Sequence, residues 1–188
     1  MSIKLKNIKN NNAGFTLEEM LVSIFIITTM STIFLVNYHS TNKRSELGIV
    51  KQKVASDIRL VQNYSLGSKT YDGVNVPSGG WGIRFATSTP DSYIIFADIN
   101  ENKFYDQGEA FETKILPAGI TVSYLYGLDF YDIVFLPPDP ECYINGYGYY
   151  DAAAANYAHI TLRENINNTE ATIWVGHLGM INPNFKEL

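Results

Sequence analysis

The feature that most constrains this chain is an apolar stretch over residues 20–36, broken only by Ser and Thr. It is long enough, as a helix, for the hydrocarbon core of a bilayer. The hydroxyls cost little there, because Ser and Thr bond back to helix carbonyls one turn earlier. Ahead of it stands a leader, residues 1–14, which carries Lys4, Lys6 and Lys9 and no acid. Lysines in that position hold a leader on the cytoplasmic side. An ordinary secretory signal is cut after its apolar region, at a small-x-small site. Here Asn37-Tyr38-His39-Ser40 follows, and the small residue, Gly14, precedes the stretch instead. Two readings stand. Cleavage after Gly14 removes the basic leader and keeps the apolar segment; alternatively the segment is a signal anchor that is never cut.

The run Gly14-Phe15-Thr16-Leu17-Glu18-Glu19-Met20 joins leader to apolar stretch. It resembles the N-terminus of type IV pilins and type II secretion pseudopilins. The resemblance implies a prepilin peptidase that cuts between Gly14 and Phe15 and N-methylates the new Phe15 terminus. It also implies that Glu19, at the fifth position after the cut, neutralises the terminal amine of a neighbouring subunit. The implied partners are that peptidase, other pilin or pseudopilin subunits, an inner-membrane assembly platform and the membrane itself. The implied location is a single-pass cytoplasmic (inner) membrane protein with its globular part outside, and then a pilus or pseudopilus. Unlike many major pilins, the chain has no Pro before Pro77.

Glu19 also has a local reading. Thr16-Leu17-Glu18-Glu19 fits a capping box, with Thr16 as cap and Glu19 reaching back to it. Carboxylates in a first turn suit the helix dipole. Both roles are compatible, but carboxylates at the edge of an apolar run need a cationic partner, since charge at bilayer depth is costly. Glu18 is placed to face headgroups.

A chain of 188 residues suggests one globular domain plus the helix. Loss of the three leader lysines takes the formal net charge from -5 to -8. That balance argues against a nucleic-acid surface. One cysteine, Cys142, leaves no internal disulfide. Leu47, Val50, Val54, Ile58 and Val61 recur at three- and four-residue spacing, with Lys51, Lys53, Asp57 and Arg59 off the stripe. The helix is therefore expected from Thr16 to Leu66, about 76 Å at 1.5 Å per residue, with Gly67 as its stop. The stripe is expected to pack on the chain's own sheet rather than form a coiled coil.

Beyond residue 71 the pattern turns to short apolar runs separated by Gly, Pro, Asn and Asp. Strands are expected at 81–85, 93–97, 111–116, 120–125, 133–136, 159–163 and 171–175, with a last one over 177–181. The expected class is α+β. A long N-terminal helix, membrane-embedded in its first half, packs on a small, mainly antiparallel β-domain of pilin type. The implied organisation is leader 1–14, assembly half 15–36, amphipathic half 37–66 and β-rich domain 67–188. Residues 139–157, rich in Tyr, Gly and Ala, read as a long surface loop. Its aromatics suit either a sugar or partner site or plain turn chemistry.

Within the β-rich part, Tyr93-Ile94-Ile95-Phe96-Ala97-Asp98-Ile99-Asn100-Glu101-Asn102 followed by Asp106-Gln107-Gly108-Glu109 resembles the GspH/FimT-like minor pseudopilins. So does Ile160-Thr161-Leu162, an Asn-rich turn, then Ala171-Thr172-Ile173-Trp174-Val175-Gly176. Where that group often has Gly-Arg, this chain has Gly176-His177. The basic residues through which some members bind DNA are missing, and only Lys186 follows.

Asp98, Asn100, Asn102, Asp106 and Glu109 occupy relative positions 1, 3, 5, 9 and 12, and Phe104 at position 7 offers a backbone carbonyl. This is the ligand spacing of an EF-hand calcium loop. The departure is Lys103, where the sharp turn normally takes Gly. The competing reading is a solvated loop of Asx turns that joins two strands. No cofactor other than Ca2+ is suggested. Enzyme patterns are lacking: His39, His159 and His177 have no metal-ligand spacing, Cys142 has no nucleophile context, and no phosphate loop or Gly-x-Ser-x-Gly elbow occurs. The expected role is that of a minor pilin or pseudopilin precursor in secretion or filament assembly. The rivals are a signal-anchored binding module, adhesive or calcium-binding, and a DNA-uptake pilin.

Overall fold

The computed structural model describes residues 14–138, 142–148 and 157–183. The first helix, α1, spans Leu17–Leu66, in agreement with the expected limits. Thr16 caps it: Thr16 Oγ1 accepts the Glu19 N–H at 3.2 Å. At the far end the Lys69 N–H bonds the Tyr64 carbonyl at 2.9 Å and the Ser68 N–H bonds the Ser65 carbonyl at 3.1 Å. This is a Schellman ending. The left-handed residue is Ser68, at φ 51, rather than Gly67. The glycine stop thus falls one residue short of the position that needs it.

The chain divides into two compact units, Met1–His39 and Ser40–Leu188. In the first, residues Leu17–Leu35 of α1 are together long and apolar enough to cross a membrane, with Glu18 and Glu19 at the leading end, and none of that window is buried within the protein. A core helix of a soluble protein would be mostly buried; this one matches a single membrane anchor or a signal sequence. Its hydroxyls bond backwards as expected. Ser23 Oγ donates to the Glu19 carbonyl at 2.7 Å, Thr29 Oγ1 to Phe25 at 2.9 Å and Thr32 Oγ1 to Thr28 at 2.8 Å.

In the second unit the stripe Leu47, Val50, Val54, Ile58 and Val61 is buried, together with Ala55 and Ser65. The described residues form nine strands. These are β1 Gly80–Ala86, β2 Ser92–Asp98, β3 Ala110–Ile115, β4 Ile120–Tyr124, β5 Phe130–Phe135, β6 Cys142–Ile144, β7 Tyr157–Glu164, β8 Thr169–Gly176 and β9 Ile181–Asn182. They form two antiparallel sheets, ordered β3-β2-β1-β5-β6 and β4-β7-β8-β9. All but β3 pack residues against the helix stripe or its core. Trp81, Ile83 and Phe85 of β1, Ile95 of β2 and Ile133 of β5 line the core from the first sheet; Ile160, Leu162, Ile173 and Val175 line it from the second. Polar ties lock the helix down. Ser65 Oγ donates to the Phe135 carbonyl at 2.5 Å and the Tyr93 hydroxyl to Asp57 at 2.6 Å on the first sheet. Arg59 donates to the Ile181 carbonyl at 3.1 Å on the second.

Two expectations are corrected. The last strand is only Ile181–Asn182, because residues 177–180 make a turn closed by Gly179 at φ 71 and by the Gly176 N–H bond to the Met180 carbonyl. The loop over 139–157 contains a strand, β6, paired with β5 from Phe135↔Cys142 to Ile133↔Ile144. The remainder of that stretch at 139–141 and 149–156, like the leader at 1–13, lies outside the described residues.

Candidate functional site

Two places carry the residues singled out by the sequence. The first is the start of α1. Gly14, Phe15 and Thr16 precede the first helical turn and are exposed, Phe15 by 82 %. A peptide bond between Gly14 and Phe15 is therefore open to an endopeptidase. Glu18 and Glu19 stand in the first turn and are exposed. Of the expected capping box, the Thr16 half is formed. The Glu19 carboxylate itself makes no hydrogen bond or ion pair among the described residues, so it is available to a cation from outside the chain. Leu21, Val22, Ile24, Phe25 and Thr28 line a shallow apolar groove just beyond it.

The second place is the connection between β2 and β3, residues 99–109. Asp98 ends β2 and Glu109 stands directly before β3. Both are buried. Asp98 Oδ2 accepts the Lys103 N–H at 3.0 Å. Glu109 accepts the Ile99 N–H at 2.9 Å and the Asp106 N–H at 3.0 Å, one on each carboxylate oxygen. Asn100 Oδ1 accepts the Asn102 N–H at 3.2 Å and Asn102 Oδ1 the Phe104 N–H at 2.8 Å. The amide groups of Asn100 and Asn102 both donate to Asp106 Oδ2, at 2.7 and 2.6 Å. All the sequence-predicted members thus belong to one bonded loop. Lys103, the residue in the glycine position, adopts φ 67, the left-handed conformation that the sharp turn demands.

Asn100 and Asn102 make the Asx turns of the competing reading, and residues 99–102, 104 and 106–108 are exposed, but the loop does more than join two strands. It folds back over the outer face of the first sheet. The Tyr105 ring lies 5.5 Å from that of buried Phe96. The Phe104 ring sits where a Cβ on Gly146 would fall, at 2.8 Å. The Lys103 ammonium lies over the Tyr143 ring at 5.6 Å and donates to the Gly79 carbonyl at 3.3 Å. Gly79 lies flat on the Asp98 carboxylate, since a Cβ there would be 2.2 Å from its carbon.

Sequence reasoning missed Asp132. It sits fully buried in β5 beneath this loop, bonded through Oδ2 to Arg84 at 2.8 Å and to the Tyr105 N–H at 3.2 Å. Burial pushes its carboxyl up to about 6, against the pull of Arg84 and the Tyr105 N–H; Asp106 and Glu109 push the same way as burial. The available signal was a lone carboxylate in the run Phe130-Tyr131-Asp132-Ile133-Val134-Phe135, since a strand so apolar is buried and its acid needs a partner. Among the described residues, no three His, Cys, Asp or Glu side chains converge closely enough to hold a metal by themselves. Any cation here needs amide and backbone oxygens as well.

Comparison with protein-family models, curated proteins and solved structures finds no match to this chain.

The remaining candidates are structural in their surroundings. Cys142 is buried, and its thiol donates to the Gly176 carbonyl at 3.3 Å. His177 is buried too; its Nδ1 lies 3.0 Å from the Cys142 carbonyl, and its own carbonyl accepts the Cys142 N–H at 2.8 Å. The Gly176-His177 pair therefore stitches β6 of one sheet to the end of β8 in the other. His159 packs on Trp174 with ring centres 3.6 Å apart.

Proposed function

We propose that this chain is the precursor of a minor pilin or pseudopilin, a structural subunit rather than an enzyme. One observation carries the reading. An exposed Gly14-Phe15 bond stands directly ahead of a 19-residue helical window, Leu17–Leu35, that is apolar enough to cross a membrane, carries the exposed Glu19 in its first turn and has no part buried in its own chain. Such a surface needs lipid or other helices around it. In this reading a prepilin peptidase cuts after Gly14 and methylates Phe15, and the apolar helix waits in the cytoplasmic membrane with the β-domain outside. An inner-membrane assembly platform then withdraws it into a bundle of like subunits. Glu19 guides docking, because its carboxylate pairs with the Phe15 amine of a neighbour as both leave water. The α+β architecture supports the reading, since a buried stripe in the second half of α1 leaves the first half free to bundle.

Mass analysis of the N-terminus of protein extracted from native membranes is the test. A terminus at methylated Phe15 is expected; a terminus at Met1 overturns the proposal in favour of a signal-anchored binding module. Glu19→Ala is expected to leave cleavage intact and to reduce incorporation into filaments at least tenfold, as about 1.4 kcal/mol of lost pairing would do. Undiminished incorporation would remove the role given to Glu19.

A further inference from the structure

We propose that residues 98–109 form a binding site for one Ca2+, with Asp98 Oδ1 as its anchoring ligand. Asn100 Oδ1, Asn102 Oδ1, the Phe104 carbonyl and the Glu109 carboxylate complete it, and Asp106 joins directly or through water. The proposal is independent of the filament reading.

Asp98 decides the matter. The residue is wholly buried, and Oδ1 has no hydrogen-bond partner. Its sister oxygen is held by the Lys103 N–H at 3.0 Å, so the carboxylate cannot turn to share that bond. A buried carboxylate oxygen without a donor is costly. Gly79 packs directly on the carboxylate, and the Lys103 N–H bond ties it to the middle of the loop. The Lys103 ammonium does not meet the need. It lies 3.7 Å from Oδ2, and its bond goes to the Gly79 carbonyl.

The rest of the loop fits a hard cation of the size of Ca2+. Its donors are all oxygens, supplied at relative positions 1, 3, 5, 7, 9 and 12, and the residue at position 6 already has the left-handed φ of 67 that such a loop requires. The Asn100 and Asn102 oxygens each accept one backbone N–H, which leaves a second lone pair on each for a metal. Asp98, Glu101, Asp106 and Glu109 against Lys103 leave the loop with excess negative charge. A bound Ca2+ ties the end of β2 to the start of β3 and holds the loop on the outer face of the first sheet. Mg2+ is disfavoured, because it demands six ligands at short, near-octahedral geometry.

The test is calorimetry on the full chain in detergent, stripped with chelator and titrated with CaCl2 or MgCl2. One Ca2+ per chain is expected, with a Kd between about 10 μM and 1 mM. The thermal midpoint should rise by roughly 5–10 °C at 100-fold saturation. Asp98→Asn and Glu109→Gln should each weaken Ca2+ at least about tenfold, since affinity follows ligand charge. Lys103→Gly separates binding from folding defects: losing a cation and a strained φ should tighten Ca2+ severalfold. Absence of Ca2+ heat and of any midpoint shift at 10-fold the weakest expected Kd, in both the unaltered chain and Lys103→Gly, overturns the site. So does an equal response to Mg2+, or Ca2+ binding that survives both acidic-residue variants.

Discussion

The two halves of α1 do different work, and paired substitutions of one residue type can measure it. Ile58 is fully buried in the core between helix and sheets, whereas Ile27 is 63 % exposed in the apolar half. Ile58→Ala removes three buried carbons, about 2.4 kcal/mol at 0.8 kcal/mol each. The cavity left behind adds to that and brings the loss to about 3–4 kcal/mol. A loss of that size is a large fraction of a typical domain's stability and lowers the midpoint by roughly 6–15 °C. Ile27→Ala removes the same atoms from a surface that meets no core and should leave the β-domain midpoint within about 1 °C. The assay is tryptophan fluorescence during thermal unfolding of the full chain in detergent. Both tryptophans, Trp81 in β1 and Trp174 in β8, report on the β-domain alone. If Ile27→Ala lowers this midpoint as far as Ile58→Ala does, the apolar half is part of the folding core and the division of labour is wrong.

Two further outcomes follow from particular contacts. Gly82 in β1 lies under the Phe96 ring, and a Cβ there would meet it at 2.3 Å; Gly82→Ala should cost about 1–3 kcal/mol by urea unfolding, and a loss under about 0.5 kcal/mol would show that the ring moves aside freely. Asp132 is held at about 6 in the folded chain, above its unfolded value. Its contribution to stability is therefore full below pH 4 and lost as the pH climbs through 6, a fall of about 3 kcal/mol. Asp132→Asn in chelator should remove this component of the urea pH profile, and an unchanged profile between pH 4 and 7 would assign the titration to another group.

Much of the candidate sites was legible in the chain. Thr16 as cap, the end of α1 at Leu66 and the buried face of Leu47, Val50, Val54, Ile58 and Val61 all appear as read. The ligand spacing from Asp98 to Glu109 also gathers into one bonded loop. What escaped was nonlocal. Asp132 lies far along the chain from the loop that covers it, and β6 is too short to carry a period. Ser68 takes the left-handed position, one residue beyond Gly67.

The sequence alone determined an apolar helix end, an amphipathic continuation and a string of short strands, because hydrophobic period and capping act within a turn or a few residues. Only tertiary structure decided that the strands part into two sheets, with β1 between β2 and the distant β5. It alone decided that the connection after β2 closes over Asp98 and Asp132 and leaves an oxygen of each without a donor. Burial of a particular atom depends on which remote segments come to lie across it, and no local pattern encodes that.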